Sequence, residues 1–183
     1  LRLVAHRMSD EIMKRFGERQ IFTSKIVFVS NRDGNDEIYM MDYDGRNQTR
    51  LTFNKIKDYM PAWAADGGKK IAYTSYQGDN AGLYIYDIYE GTRFTVFDRG
   101  TNFSPSFSPD GKKLAFCSTV DEGNTEIYVT NGEGKNMRRL TFNNSSDVAP
   151  SWSPTSREIT FTSDRGGTPQ IYIIDAEGSN VRR

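Results

Sequence analysis

The sequence predicts an all-β fold, an incomplete β-propeller with four-stranded antiparallel blades. Three observations predict it. A unit of about 44 residues recurs four times, each unit holds short runs rich in β-branched and aromatic residues, and turn-forming residues separate those runs. Four short strands at a period in the forties are typical of a propeller blade. Nothing inside the unit has a 3.6-residue period, which excludes a helical solenoid.

Two strand patterns define the register of the repeat. The first is aliphatic-x-aromatic-x-Ser, and the second is an aliphatic residue followed by Tyr. Both are short and bounded by Gly, Asp, Asn or Pro, as expected of strands in a small antiparallel sheet. The first pattern begins at Ile26, Ile71, Leu114 and Ile159, and the second at Ile38, Leu83, Ile127 and Ile171.

Two further strands complete the unit. A Pro-x-aromatic strand precedes the first pattern in three units, and an Arg-Leu-Thr strand follows the second pattern in two. Asp-Gly pairs at 66–67 and 110–111 predict tight hairpins after the Pro-x-aromatic strand. Blade geometry places that strand innermost, beside the central channel. We therefore expect three aromatic side chains to pack between neighbouring blades: Trp63, Phe107 and Trp152.

The repeat boundaries predict a partial propeller over 25–183, with its two ends incomplete. The first blade lacks a Pro-x-aromatic strand, and the fourth stops where its outer strand should begin. Because an open arc leaves strand edges unpaired, we expect a fragment whose first blade is completed by a strand from a missing C-terminal part. Association of two half-rings is the alternative. The predicted blades are about 25–57, 58–101, 102–146 and 147–183.

Residues 1–24 predict a helix and a linker rather than a blade. Gly17 is the predicted helix end, and we interpret the segment as the last helix of a preceding domain. His6 is the single histidine, and on an amphipathic helix it is expected to be a packing or surface residue. Five apolar residues recur at helical spacing on one face: Leu1, Ala5, Met8, Ile12 and Phe16.

Composition excludes several functional classes. The 24 basic and 24 acidic residues cancel, so no net field favours nucleic acid or an anionic membrane. No apolar run is long enough for a transmembrane helix. The single Cys117 and single His6 leave no His/Cys metal cluster and no Ser-His-Asp set within the repeats. We therefore predict no catalytic residues and no enzyme activity.

A polar residue recurs three positions before each blade's proline: Asp58, Asn102 or Asp147. These residues precede the innermost strands, so we expect a ring at one mouth of the channel. Such a ring could bind a cation or a partner's backbone amides; the alternative is that each residue caps its own loop. The residues that follow have the composition of a binding surface: Tyr59, Met60, Phe103, Ser104, Val148 and Ala149.

The repeat Pro-x-Trp-Ser-Pro-Asp-Gly-x-x-Ile-Ala-Phe-x-Ser-x-Arg-x-Gly-x-x-x-Ile-Tyr is clearest at 105–128 and 150–172. It is similar to the propeller repeats of the TolB family. The segments 5–12, 16–18 and 22–26 resemble the junction between the small α/β domain of that family and its propeller. The resemblance covers the whole chain.

The resemblance implies a six-bladed, non-enzymatic propeller in the Gram-negative periplasm, preceded by an α/β domain that residues 1–24 would end. It implies binding of the peptidoglycan-associated lipoprotein Pal at the channel mouth, with contacts over 57–60, 101–104 and 147–149. It also implies binding of TolA by the mostly missing first domain, a calcium ion in the channel, and a role in outer-membrane integrity and constriction at division.

The main alternative is an accessory propeller domain of a prolyl-oligopeptidase-like serine peptidase, because related propellers occur there. Sequence beyond Arg183 would discriminate the two. A Gly-x-Ser-x-Gly motif followed by Asp and His favours the peptidase, and about two more blades favour the TolB family. A sugar-cleaving propeller with a channel metal is disfavoured by the lack of histidine in the repeats.

Overall fold

The computed structural model describes residues 1–77, 80–121 and 123–183. Within these ranges, one helix precedes four antiparallel sheets. No helix there is long and apolar enough to cross a membrane. The observed sheets confirm the predicted all-β class and its antiparallel blades.

The four sheets follow one another along the chain, and each lies inside one predicted blade. The second and third sheets have four strands, and the first and fourth have three. The elements are α1 (Arg2–Arg15); β1 (Lys25–Ser30), β2 (Glu37–Asp42), β3 (Thr49–Arg50); β4 (Asp58–Trp63), β5 (Lys70–Gln77), β6 (Asn80–Asp87), β7 (Thr92–Phe97); β8 (Asn102–Phe107), β9 (Lys113–Ser118), β10 (Glu126–Asn131), β11 (Arg138–Arg139); β12 (Asp147–Trp152), β13 (Glu158–Ser163) and β14 (Gln170–Asp175).

The core lies between consecutive sheets. Trp63 packs with Ile38 of the first sheet and Ile71 of its own, so it bridges two blades. Phe107 and Trp152 occupy the equivalent places in the next two core clusters. The predicted packing of these aromatic residues between blades is confirmed. The central strands are buried on both faces because a blade has a neighbour on each side.

The incomplete blades are also confirmed within the described residues. The first sheet has the order β1-β2-β3 and no Pro-x-aromatic strand on the inner side of β1. In the fourth sheet, Ile173 and Arg182 exchange two backbone hydrogen bonds of 2.8 and 2.9 Å. The outer strand of that blade therefore begins at the last residues of the chain.

Helix α1 contacts the first sheet through a polar stripe. Arg2 forms ion pairs with Asp42 and Asp44. The ring of His6 packs edge-on against Tyr43, with 5.0 Å between ring centroids. Farther along, Asp10 accepts hydrogen bonds from two linker amides, at 2.8 and 2.9 Å. Most of the predicted apolar face remains exposed, including Leu1, Met8, Ile12 and Phe16.

Candidate functional site

The nine predicted site residues occupy the first three positions of β4, β8 and β12. These strands lie side by side in the arc. The Oγ of Ser104 lies 3.5 Å from the Sδ of Met60, so the starts of β4 and β8 are in contact. The structure therefore brings equivalent residues of neighbouring blades to one end of the innermost strands, as the repeat predicts. The three positions differ sharply in burial.

The first position is fully buried, as Asp58 shows. Its carboxylate accepts hydrogen bonds from Ser75 Oγ at 2.5 Å and from Asn54 Nδ2 at 2.8 Å. Its amide donates to the carbonyl oxygen of Asp36 in the preceding blade, at 2.8 Å. Burial raises the pKa of Asp58, although the hydrogen bond from Ser75 opposes that shift. The side chain holds the loop that enters β4.

Asp147 and Asn102 have the same buried setting. Asp147 accepts from Arg165 Nη2 and from Asn143 Nδ2, both at 2.7 Å. Asn102 donates through Nδ2 to three backbone carbonyl oxygens, those of Ala81, Arg99 and Gly100. These bonds match the alternative in which each residue caps its own loop. A direct partner or cation role for Asp58, Asn102 and Asp147 stays a prediction.

Two buried oxygens at this position have no hydrogen-bond partner in the described part of the chain, Asn102 Oδ1 and Asp147 Oδ1. Oxygen is the ligand that calcium prefers, but calcium needs roughly six to eight such ligands. Among residues 1–77, 80–121 and 123–183, no group of three or more His, Cys, Asp or Glu residues is arranged to hold a metal. The calcium ion that the family resemblance implies in the channel therefore stays a prediction.

The second residue of each innermost strand is half-buried, and its contacts stabilise the start of the strand. The hydroxyl of Tyr59 donates to Asp36 Oδ2 at 2.5 Å. The ring of Tyr59 meets the ring of Tyr76 edge-on, with 5.8 Å between centroids. In the next two blades, Phe103 and Val148 pack against the core between the third and fourth sheets. These side chains therefore hold the strand starts in place, and only part of each side chain is exposed at this end of the arc.

The third position has a left-handed backbone in all three blades. Met60, Ser104 and Ala149 have φ values of 53°, 53° and 55°. The register of each innermost strand breaks at this point, next to the proline. A non-glycine residue in this conformation costs on the order of 1–3 kcal/mol, and such strain is concentrated at functional sites. Met60 is 48% exposed, and Ala149 is exposed as well.

A buried carboxylate network supports the loop before β12. Glu126 accepts from Arg139 Nη2 at 2.8 Å and from the amide of Asn143 at 3.1 Å. Asn143 in turn donates to Asp147. Glu126 also accepts from Thr141 Oγ1, and in the first blade Glu37 accepts the matching bonds from Arg50 and Thr52. Sequence reasoning missed these glutamates, although a Glu thirteen residues before an Arg in both blades was a usable signal.

Two exposed aromatic residues on the same loops were also missed. Phe53 and Phe142 end the Arg-Leu-Thr-Phe segments, and each is 73% exposed. The guanidinium groups of Arg50 and Arg139 lie over these rings, 5.0 and 4.8 Å from the centroids. The loops that enter β4 and β12 therefore present an aromatic ring as well as the predicted residues.

Comparison with known proteins identifies the family. Residues 13–183 match the family model described as the TolB beta propeller domain. The chain is 33% identical over its full length to the protein TolB homolog of Chlorobium luteolum, covering 41% of that protein. It is 36% identical over 99% of its length to the Tol-Pal system protein TolB of Bordetella pertussis, covering 42%. The chain thus spans about two fifths of the length of these relatives.

Solved structures agree with this match. The crystal structure of TolB from Acinetobacter baumannii superposes with a TM-score of 0.84 at 32% identity, covering 98% of this chain and 46% of that one. The structure of putative TolB from Agrobacterium tumefaciens gives a TM-score of 0.79 at 24% identity, covering 86% and 60%. The propeller fold predicted from the repeat is confirmed, and the chain belongs to the TolB beta-propeller family.

Proposed function

We propose that this chain is a non-catalytic protein-binding platform of a Tol–Pal system, acting in the periplasm. The end of the arc where β4, β8 and β12 begin binds the peptidoglycan-associated lipoprotein Pal. The observation that carries the proposal is the left-handed residue repeated at these strand starts: Met60, Ser104 and Ala149. Two relatives are named Tol-Pal system protein TolB, which supports a partner from that system.

The chemistry of this surface suits a protein partner. Met60 offers a flexible, polarisable side chain of the kind used at protein interfaces. Nearby, a hollow of about 580 Å³ is lined by Ile56, Tyr59 and Tyr76 together with two lysines, Lys55 and Lys57. The hollow is large enough for a partner side chain, and the lysines favour an acidic one.

The buried first position then has a supporting role in binding. Asp58 and Asp147 hold the entering loops through the asparagines four residues before them. A surface that is held before the partner arrives loses less conformational entropy on binding. Replacement of either aspartate should therefore weaken binding by loosening its loop. In the same proposal, the domain before the propeller engages TolA, and the complex supports outer-membrane integrity and constriction at division.

A charge placed in the surface tests this site. Met60→Asp introduces a carboxylate at a half-exposed position, and Asp tolerates a positive φ better than most residues. Met137→Asp is the matched control, because Met137 is 38% exposed and precedes β11 at the opposite end of its blade. Calorimetric titration with Pal should show binding at least about ten-fold weaker for M60D, and a change below about two-fold for M137D.

Equal affinities for the two variants would place Pal elsewhere. Thermal unfolding of both variants establishes that they remain folded.

A further inference from the structure

A small hollow lies between the outer part of the first blade and the second blade. Its volume is about 220 Å³. The first blade contributes residues 51–54 to its wall, and the second contributes Tyr73, Tyr86, Gly91 and Arg93. A cavity of about 150 Å³ already holds a benzene ring, and drug-sized ligands occupy roughly 300–1,000 Å³. The hollow therefore has the size of one ring with a small polar group.

The polar side chains that the first blade contributes are already bonded inside it. Thr52 Oγ1 donates to Glu37 Oε2 at 2.6 Å, and Asn54 Nδ2 donates to Asp58 Oδ2 at 2.8 Å. No Asp or Glu in the described part of the chain lines the hollow. The charge and the hydrogen-bond donors that face a ligand therefore come from the second blade, and they suit an anion.

Tyr73 supplies one donor. It is fully buried, and its hydroxyl has no hydrogen-bond partner in the described part of the chain. Burial raises the pKa of Tyr73 to about 12, so the hydroxyl keeps its proton at neutral pH. A buried donor without an acceptor is costly, and a ligand that accepts from it removes that cost. Tyr73 faces Tyr84 in the strand register, and the other three blades have phenylalanine at its position: Phe28, Phe116 and Phe161.

Arg93 supplies the charge. Its guanidinium lies over the ring of Tyr84, 5.1 Å from the centroid. In the second blade, Gly82 opposes Ser75 at the register position where the first and third blades have a buried glutamate. No carboxylate among residues 1–77, 80–121 and 123–183 forms an ion pair with Arg93. In the first and third blades, by contrast, the arginine of the outer strand reaches that glutamate at 2.8 Å, as in Arg50–Glu37 and Arg139–Glu126.

From these features we propose that the hollow between the first two blades binds a small aromatic carboxylate, about the size of benzoate. The carboxylate accepts hydrogen bonds from Arg93 and from the hydroxyl of Tyr73, and such charge-assisted bonds are stronger than neutral ones. The ring packs on Leu51 and Phe53. An inorganic anion would leave the apolar wall uncovered, and a neutral ring would leave Arg93 without a counter-ion. This binding does not involve Pal.

Benzoate is the probe, added to the isotope-labelled 183-residue chain. Proton–nitrogen NMR spectra follow the backbone amides of 51–54 and 91–93, which enclose the hollow from two blades. We expect both groups of signals to shift along one saturable curve, with a dissociation constant on the order of 1 mM. Benzamide has the same shape without the charge, and phosphate has charge without the ring. Each should bind at least about ten-fold more weakly than benzoate.

Two variants test the donors. Arg93→Met should weaken benzoate binding by about ten-fold, because a hydrogen bond to a charged group is lost. Arg46→Met is the matched control, since Arg46 is also exposed and lies in the turn between β2 and β3; it should change the affinity by less than about two-fold. Tyr73→Phe should weaken binding by about three-fold without lowering the unfolding temperature, because its hydroxyl has no internal bond to lose.

The proposal fails if the amide shifts do not saturate or are confined to one of the two blades. It also fails if benzamide or phosphate binds as tightly as benzoate, or if R93M and R46M have equal affinities. A lower unfolding temperature for Y73F would show that the hydroxyl is bonded within the fold, which contradicts its role in the site. Thermal unfolding shows whether each variant is folded. If R93M is not, R93K takes its place in the comparison, because it lacks the planar guanidinium.

Discussion

Replacing Glu126 by Gln should destabilise the protein by about 2–4 kcal/mol. The carboxylate is 2% exposed. It accepts from Arg139 Nη2 at 2.8 Å, from the amide of Asn143 at 3.1 Å and from Thr141. Glutamine keeps the shape of the side chain but has one acceptor oxygen, an NH₂ donor and no charge. Arg139 would lose its buried counter-ion, and one of the other donors would face the amide NH₂.

The magnitude follows from the contacts that are lost. A hydrogen bond involving a charged group contributes about 1.5–3 kcal/mol, and removing one partner of a buried ion pair costs about 3–5 kcal/mol. Glutamine retains one acceptor, and Arg139 still has Asp121 at 3.5 Å. The cost should therefore lie below that of complete removal of the pair.

Urea unfolding followed by tryptophan fluorescence measures the change. Glu133→Gln is the matched control: its side chain is 67% exposed, and its ion pair with Lys135 is long, at 3.5 Å. The control should change the free energy of unfolding by less than about 0.5 kcal/mol. If E126Q were as stable as E133Q, the Glu126 network would not be what holds the loop before β12.

Three further outcomes are expected. The pKa of Asp42 is lowered to about 2, chiefly by a hydrogen bond from Lys25, so its stabilising effect is present above about pH 4 and lost as the pH falls toward 2; D42N should flatten this part of the urea-stability profile. W152F should lower the free energy of unfolding by about 1 kcal/mol, whereas W63F, without a hydrogen bond to lose, should change it little. Burial raises the pKa of Cys117 to about 12, so a thiol reagent at pH 8 should label it only after unfolding.

Each of these three predictions has a result that would contradict it. An unchanged acid profile in D42N would remove Asp42 from the acid-sensitive contacts. Equal destabilisation by W63F and W152F would mean that the indole hydrogen bond contributes nothing measurable. Rapid labelling of native protein would show that Cys117 is accessible.

The blades could be predicted from the sequence because their signals are local. Alternating apolar residues, Asp-Gly turns and a repeated proline fix strand type and order without knowledge of the rest of the fold. The same repeat placed Met60, Ser104 and Ala149 at equivalent strand starts, and the structure gives all three the same left-handed backbone.

Side-chain direction at those strand starts could not be predicted. Asp58 lies two residues before Met60, and spacing alone suggested that it faces the channel mouth. The irregular register between Tyr59 and Ala62 changes which side chains face inward. Asp58 is instead bonded inside its own blade to Ser75 and Asn54, which spacing cannot reveal.

The contact of α1 was missed for a different reason. Apolar periodicity identifies the apolar face of a helix but not the face that contacts the neighbouring sheet. Here Arg2, His6 and Asp10, spaced by four residues, contact the first sheet and linker. Their acceptors and packing partners, such as Asp42 and Tyr43, are distant in sequence. The contacts of this polar stripe therefore cannot be predicted before the fold is known.

The claim that β4, β8 and β12 begin at a protein-binding face is tested most directly by amide hydrogen exchange on the protein with and without Pal. We predict slowed exchange in the three entering loops and strand starts, at 53–60, 97–104 and 142–149, with little change in the hairpins and turns at the other end of the blades. Protection confined to those other turns, such as 64–69, 108–112 and 132–137, would contradict the claim.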